Sequence, residues 1–195
     1  MPDLTFKWGR TDCDDSPYTD EEFEFPEGTM TRSEMMTYFE DHFGYTGKEV
    51  VALMGAHTLG LNTLDNSGYE GKYTNKPLAL DNTYYSDMLS SSGLTWTNEE
   101  TSEGKWQFTS EDDTTRLNTD LELVYDLTLD SDTAECTCTV GDDCDEASSY
   151  NLVKTYANVS NLSLALTMNH SQYLSFRLIR MQILGPLILL LSWRS

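Results

Sequence analysis

The sequence predicts a mainly α fold with a small β-hairpin, and three observations carry that expectation. Thr31 with Glu34, and Thr46 with Glu49, each set a threonine three residues before a glutamate, the capping-box pattern that marks where a helix begins. Apolar residues follow both starts at helical spacing. Residues 94–97 and 105–108 alternate well enough to pair as strands around a turn at 98–104.

Taken in order, residues 1–28 read as loop, much of it the acidic run TDCDDSPYTDEEFEFPEG. The helix opened by Thr31 carries Met35, Phe39 and Phe43 four residues apart on one face, a stripe that belongs in a core. The helix opened by Thr46 carries Val50, Val51, Leu53, Met54 and His57, and Leu59-Gly60 is expected to end it. Residues 66–71 are turn chemistry, and Asp81 is the expected N-cap of a helix carrying Tyr84, Tyr85, Met88 and Leu89. Leu117 opens a further short helix, expected to run through Val124 and Leu127.

At 195 residues the chain is long enough for one domain with a real core. Its net charge of -21 offers no surface to nucleic acid and little attraction to an anionic membrane. Every acid lies at or before Glu146, so the character of the chain changes there. Residues 183–191 are apolar, but Gly185-Pro186 interrupts them and they fall far short of the roughly 20 residues of a membrane span. No apolar leader follows Met1. Three cysteines crowd into ECTCTVGDDC, with Cys13 far off in sequence. Cys-x-Cys-x5-Cys without a nearby histidine fits zinc spacing badly, so a Cys136–Cys144 disulfide closing the acidic loop is the expectation. Disulfides persist in oxidising compartments, which points to a secreted parent protein whose signal lies upstream.

Val50, Met54 and His57 stand on one helical face, so a histidine closes an apolar stripe. A buried imidazole needs a partner, either a backbone carbonyl or a metal. The wording of the segment decides between them: TGKEVVALMGAHTLG resembles the proximal-helix motif of the haem peroxidases, closest to the ascorbate and cytochrome c peroxidase branch. Gly9-Arg10-Thr11-Asp12 and the residues after it resemble that family's segment over the haem edge, and SGYEGKYTNKPLALDNTYYSDML continues the likeness. The resemblance stops after Asn158, which leaves 1–158 as the proximal part of a peroxidase domain and 159–195 as a divergent tail outside it. The sequons beginning at Asn158, Asn161 and Asn169 fall at or in that tail.

The resemblance implies a partial haem-peroxidase fold in which His57 is the axial ligand of haem b. Asp120 takes the place of the carboxylate that accepts the ligand's free ring N–H. Tyr73 stands where this branch has a tryptophan beneath the histidine, and Thr58 adjoins the ligand; His57, Thr58 and Tyr73 are the expected cofactor-binding residues. The ascorbate enzymes also hold a monovalent cation, whose oxygen donors match Thr58, Thr74, Asp81 and the carbonyl of Ala79, while Lys76 replaces an asparagine ligand. The implied reaction reduces hydrogen peroxide and oxidises a small organic donor, as in the response to oxidative stress. Asn66 replaces the arginine that holds ascorbate, which argues against ascorbate as the donor. Leu61 and Thr63 replace residues near a haem propionate. No Arg-x-x-[Trp/Phe]-His, the family's distal acid-base pair, occurs in these residues. A non-catalytic secreted binding module that keeps the fold is the alternative.

Overall fold

A computed structural model describes residues 25–158. The loop expected before residue 25, the Gly9–Asp12 stretch, Cys13 and the tail from 159 onward lie outside the described residues. Six α-helices and seven short strands occur among them. No described helix is long and apolar enough to cross a membrane.

Both capping boxes form. Helix α1, Arg32–Phe43, begins where the Glu34 carboxylate takes the Thr31 N–H at 2.9 Å, and ends at Gly44 with φ 67°. Helix α2, Gly47–Met54, begins in the same way, with Glu49 taking the Thr46 N–H at 2.8 Å. Met35 and Phe39 of the α1 stripe are buried, whereas Phe43 is only partly covered. Val50 and Val51 of α2 are wholly buried, each worth roughly 1.5–3 kcal/mol of transfer free energy. Helix α4, Thr83–Met88, and helix α6, Tyr150–Ala157, close the core over α2 with Tyr84, Tyr85, Met88, Val153 and Tyr156.

The strands form three small antiparallel sheets. Strand β1, Leu61–Asn62, pairs with β2, Gly71–Lys72, across the one-turn helix α3, Leu64–Ser67. The expected hairpin is present as β3, Trp96–Glu100, and β4, Trp106–Ser110, with Trp96 opposite Ser110 and Glu100 opposite Trp106. A third strand, β5, Thr115–Arg116, pairs with β4 so that Phe108 faces Arg116. After α5, Asn118–Leu121, strand β6, Tyr125–Asp126, pairs with β7, Asp145–Glu146.

Four expectations require correction. The second helix does not reach Leu59: α2 stops at Met54, and Gly55–Thr58 is a 3-10 turn. The Tyr85 hydroxyl bonds the carbonyls of Val51 at 2.8 Å and Ala52 at 3.2 Å, capturing acceptors that a continuing α-helix would use. Helix α4 starts one residue later than expected, with Asn82 at the N-cap position and no side-chain cap bond of its own, while the Asp81 carboxylate before it accepts the Thr83 N–H at 2.9 Å. The short helix after Leu117 ends at Leu121, since Val124 gives its carbonyl to Ala147 N–H and the chain passes into β6. The disulfide joins Cys138 to Cys144, not Cys136 to Cys144. The amides of Asp142, Asp143 and Cys144 all fold back on the Thr139 carbonyl, which brings the Cα atoms of Cys138 and Cys144 to 5.3 Å. Cys136 bridges Leu129 instead and buries its thiol as a free cysteine.

Candidate functional site

The Gly55–Thr58 turn presents His57 at the end of the α2 face. Its Nδ1 lies 2.8 Å from Oδ1 of Asp120, which is wholly buried on α5. A carboxylate can only accept, so Nδ1 carries a proton toward Asp120 and Nε2 is the nitrogen left for a metal. No described residue bonds Nε2, and the side chain retains 16% exposure. This donor set, an imidazole of fixed tautomer with an open Nε2, fits an axial ligand of haem iron.

Tyr73 stacks on His57 with ring centroids 4.1 Å apart and planes 15° from parallel, and its hydroxyl donates to Asn62 Oδ1 at 3.3 Å. Burial and then the charge of Asp120 push the Tyr73 phenol far above its ordinary range, so it stays protonated. On the other carboxylate oxygen, the Leu117 N–H donates to Asp120 Oδ2 at 2.8 Å. Burial alone would raise Asp120. The His57 charge and hydrogen bond, the Arg116 charge and the Tyr84 hydroxyl outweigh it and hold the carboxyl below its ordinary value.

Two members of this cluster carry no signal in the sequence. Tyr84 donates its hydroxyl to Asp120 Oδ1 at 2.7 Å. Arg116 is wholly buried between the Tyr84 and Trp96 rings, 5.0 Å from each centroid. Its guanidinium donates to the carbonyls of Tyr73, of Thr115 at 2.9 Å and of Tyr84 at 3.3 Å, and Asp87 stands 3.9 Å away. A helix-face reading places Tyr84 in a core, and an arginine after two threonines resembles any surface strand. Only the third dimension joins them to His57.

Three of the expected cation donors, Thr58, Thr74 and Asp81, come together. Thr58 Oγ1 donates to Asp81 Oδ1 at 3.1 Å, and Thr74 Oγ1 donates to the Thr58 carbonyl at 3.0 Å. The Ala79 N–H closes a turn on the Lys76 carbonyl at 2.8 Å. Burial raises the Asp81 carboxyl, but the Thr83 and Thr58 bonds and the Lys76 charge bring it below its ordinary value. Leu61 is exposed, and Leu61 and Thr63 line an open groove of about 630 Å³ beside β1 and β2. His57 does not line that groove, so it is a surface depression apart from the imidazole. Asn66 is committed locally, donating to Thr63 Oγ1 at 2.7 Å.

Comparison with known proteins accords with this geometry. The profile of a family described as Peroxidase matches residues 1–137. L-ascorbate peroxidase 2, cytosolic, of Oryza sativa subsp. japonica is 35% identical over 89 residues, 46% of this chain and 34% of that protein. A Debaryomyces hansenii protein named "Putative heme-binding peroxidase" is 33% identical over 126 residues, 64% of this chain and 29% of that protein. L-ascorbate peroxidase 2, cytosolic, of Arabidopsis thaliana is 37% identical over 93 residues, again 46% of this chain and 34% of that protein. The chain thus spans about a third of the length of these relatives. With most of the chain matched by one family, and a carboxylate-held histidine at the centre of the match, the chain belongs to the peroxidase family.

Proposed function

We propose that this chain forms the proximal side of a haem-dependent peroxidase, which reduces hydrogen peroxide and oxidises a small organic donor. The observation that carries the reading is the 2.8 Å bond between His57 Nδ1 and Asp120, which fixes the tautomer and leaves Nε2 free. His57 would hold haem b through Nε2, with Tyr73 and Thr58 beside it. A bound haem would supply the redox-active iron at which peroxide is reduced. The chain's own part is to orient the imidazole, to raise the basicity of Nε2 through the Asp120 carboxylate, and to keep water from that carboxylate by burial. The proton on Nδ1 stays between His57 and Asp120 throughout.

A monovalent cation would take its oxygens from Thr58, Thr74, Asp81 and the Ala79 carbonyl. Two of the three side chains already pair with one another, and the Lys76 charge acts on Asp81. The Lys76 charge offsets part of the negative charge on Asp81, so a cation at these oxygens would be held weakly. The proposed donor is a small organic molecule other than ascorbate, because Asn66 brings no cation and its amide is already bonded to Thr63.

The test is a haem titration followed by the Soret band, run on the wild type and His57→Ala, with a hydrogen peroxide assay on a phenolic donor. The reading expects a His57-dependent spectrum and little turnover, since no distal Arg-x-x-[Trp/Phe]-His is among these 195 residues. Loss of one charge-stabilising donor costs about a hundred- to a thousand-fold in rate. The same spectrum in both proteins would refute the ligand assignment and favour the binding-module alternative.

A further inference from the structure

We infer that Tyr84 is a positioning residue of the proximal pair, whose hydroxyl competes with His57 Nδ1 for one carboxylate oxygen and so limits the negative charge that reaches the imidazole. The functional consequence rests on His57 being the haem ligand, but the competition itself is a property of the haem-free chain.

Both donors end on the same atom: Tyr84 Oη lies 2.7 Å and His57 Nδ1 2.8 Å from Asp120 Oδ1. The carboxylate has no relief on its other oxygen, where the Leu117 N–H already donates. Tyr84 and Asp120 are wholly buried, so the hydroxyl cannot exchange this acceptor for bulk water. The ring is held from three sides. It meets His57 edge-on at 6.1 Å and Tyr85 edge-on at 5.1 Å, and the Arg116 guanidinium lies over its face. Arg116 also donates to the Tyr84 carbonyl at 3.3 Å, which fixes the backbone behind the ring. A phenol so confined points its O–H one way. Hydrogen bonds to an ionised acceptor are the strong ones, and two donors on one oxygen divide its charge. With Tyr84 in place, His57 receives less anionic character than a carboxylate shared with no other side chain would give, and Nε2 is correspondingly less basic. Tyr84 thus opposes part of the effect that Asp120 exerts on the ligand.

Two changes at this position act in opposite directions on the same observable, the proton resonance of His57 Nδ1–H in the full haem-free chain. Tyr84→Phe keeps the ring and removes the competing donor, so the resonance moves downfield as the His57–Asp120 bond shortens. Site-specific 3-fluorotyrosine at position 84 makes the phenol a stronger donor with almost no change in volume, so the resonance moves upfield. A Tyr84 that served only to fill space would move neither in this paired way. In the haem-bound chain, Tyr84→Phe raises the ratio of ferric to ferrous haem affinity by about three- to tenfold, tenfold being 59 mV for a one-electron couple. Unmoved resonances in both proteins, or shifts of the same sign, would overturn the inference. A haem spectrum unaffected by His57→Ala would instead overturn the ligand reading and leave the paired resonance shifts as evidence for the competition.

Discussion

The hydroxyl of Tyr85 occupies the space that any side chain at Gly55 would need: a Cβ built there falls 2.2 Å from Tyr85 Oη and 2.7 Å from its Cζ. The two residues meet because Tyr85 crosses from α4 to bond the last carbonyls of α2, and that crossing converts the end of the helix into the turn that carries His57. Gly55 is needed for closeness of approach, since its φ of -60° is open to every residue.

Gly55→Ala should therefore destabilise the chain by about 2–3 kcal/mol, as overpacking against a buried ring does. Urea unfolding of the variant beside the wild type measures it. A loss below roughly 0.5 kcal/mol would show that Tyr85 moves aside freely.

Glu122 is buried with its carboxylate on the Arg32 N–H at 2.9 Å. Burial, more than any partner, pushes this carboxyl from 4.5 up to about 7. The unfolded chain gives up this proton first as pH rises, so the stability that Glu122 contributes is full below pH 4.5 and lost as pH rises through 7. The loss amounts to about 3 kcal/mol at 1.36 kcal/mol per unit. Glu122→Gln cannot titrate. Its stability should hold up relative to the wild type between those pH values, as read by denaturant midpoints at each pH, and parallel pH profiles would contradict the assignment.

Non-reducing peptide mapping should recover Cys138 linked to Cys144, with Cys136 reactive toward alkylating reagent only after unfolding. Replacing both bridged cysteines with serine should cost about 2 kcal/mol, the loop-closure estimate for so short a loop. A Cys136–Cys144 peptide would contradict the structure.

How much of this was legible in the sequence depends on how far apart the partners lie. Thr31 with Glu34 and Thr46 with Glu49 are three residues apart, so the chain itself encodes both helix starts. The hairpin is similarly local, although its strands lie one to three residues beyond the alternating residues. Where α2 stops is decided by Tyr85, 34 residues beyond Val51, and no local pattern records it. The start of α4 lies one residue later than expected, because Asp81 and Asn82 are equally good caps by propensity. Among three crowded cysteines, spacing alone leaves the pairing open, and the backbone turn at Thr139 settles it. The resemblance led to His57, Asp120 and Tyr73, and the structure brings them together. Tyr84 and Arg116 were not found in that way, because a buried hydroxyl donor and a buried guanidinium look, in sequence, like a core aromatic and a surface cation.

The most direct test of the central claim replaces the ligand rather than merely deleting it. His57→Gly removes the imidazole from beside Tyr73 and Asp120, and haem is then added with and without free imidazole. The variant alone should lack the wild-type Soret spectrum and imidazole should restore it, the small molecule taking up the bond to Asp120 and offering its second nitrogen to the iron. A wild-type spectrum in His57→Gly without imidazole would contradict the assignment of His57 as the residue that holds haem.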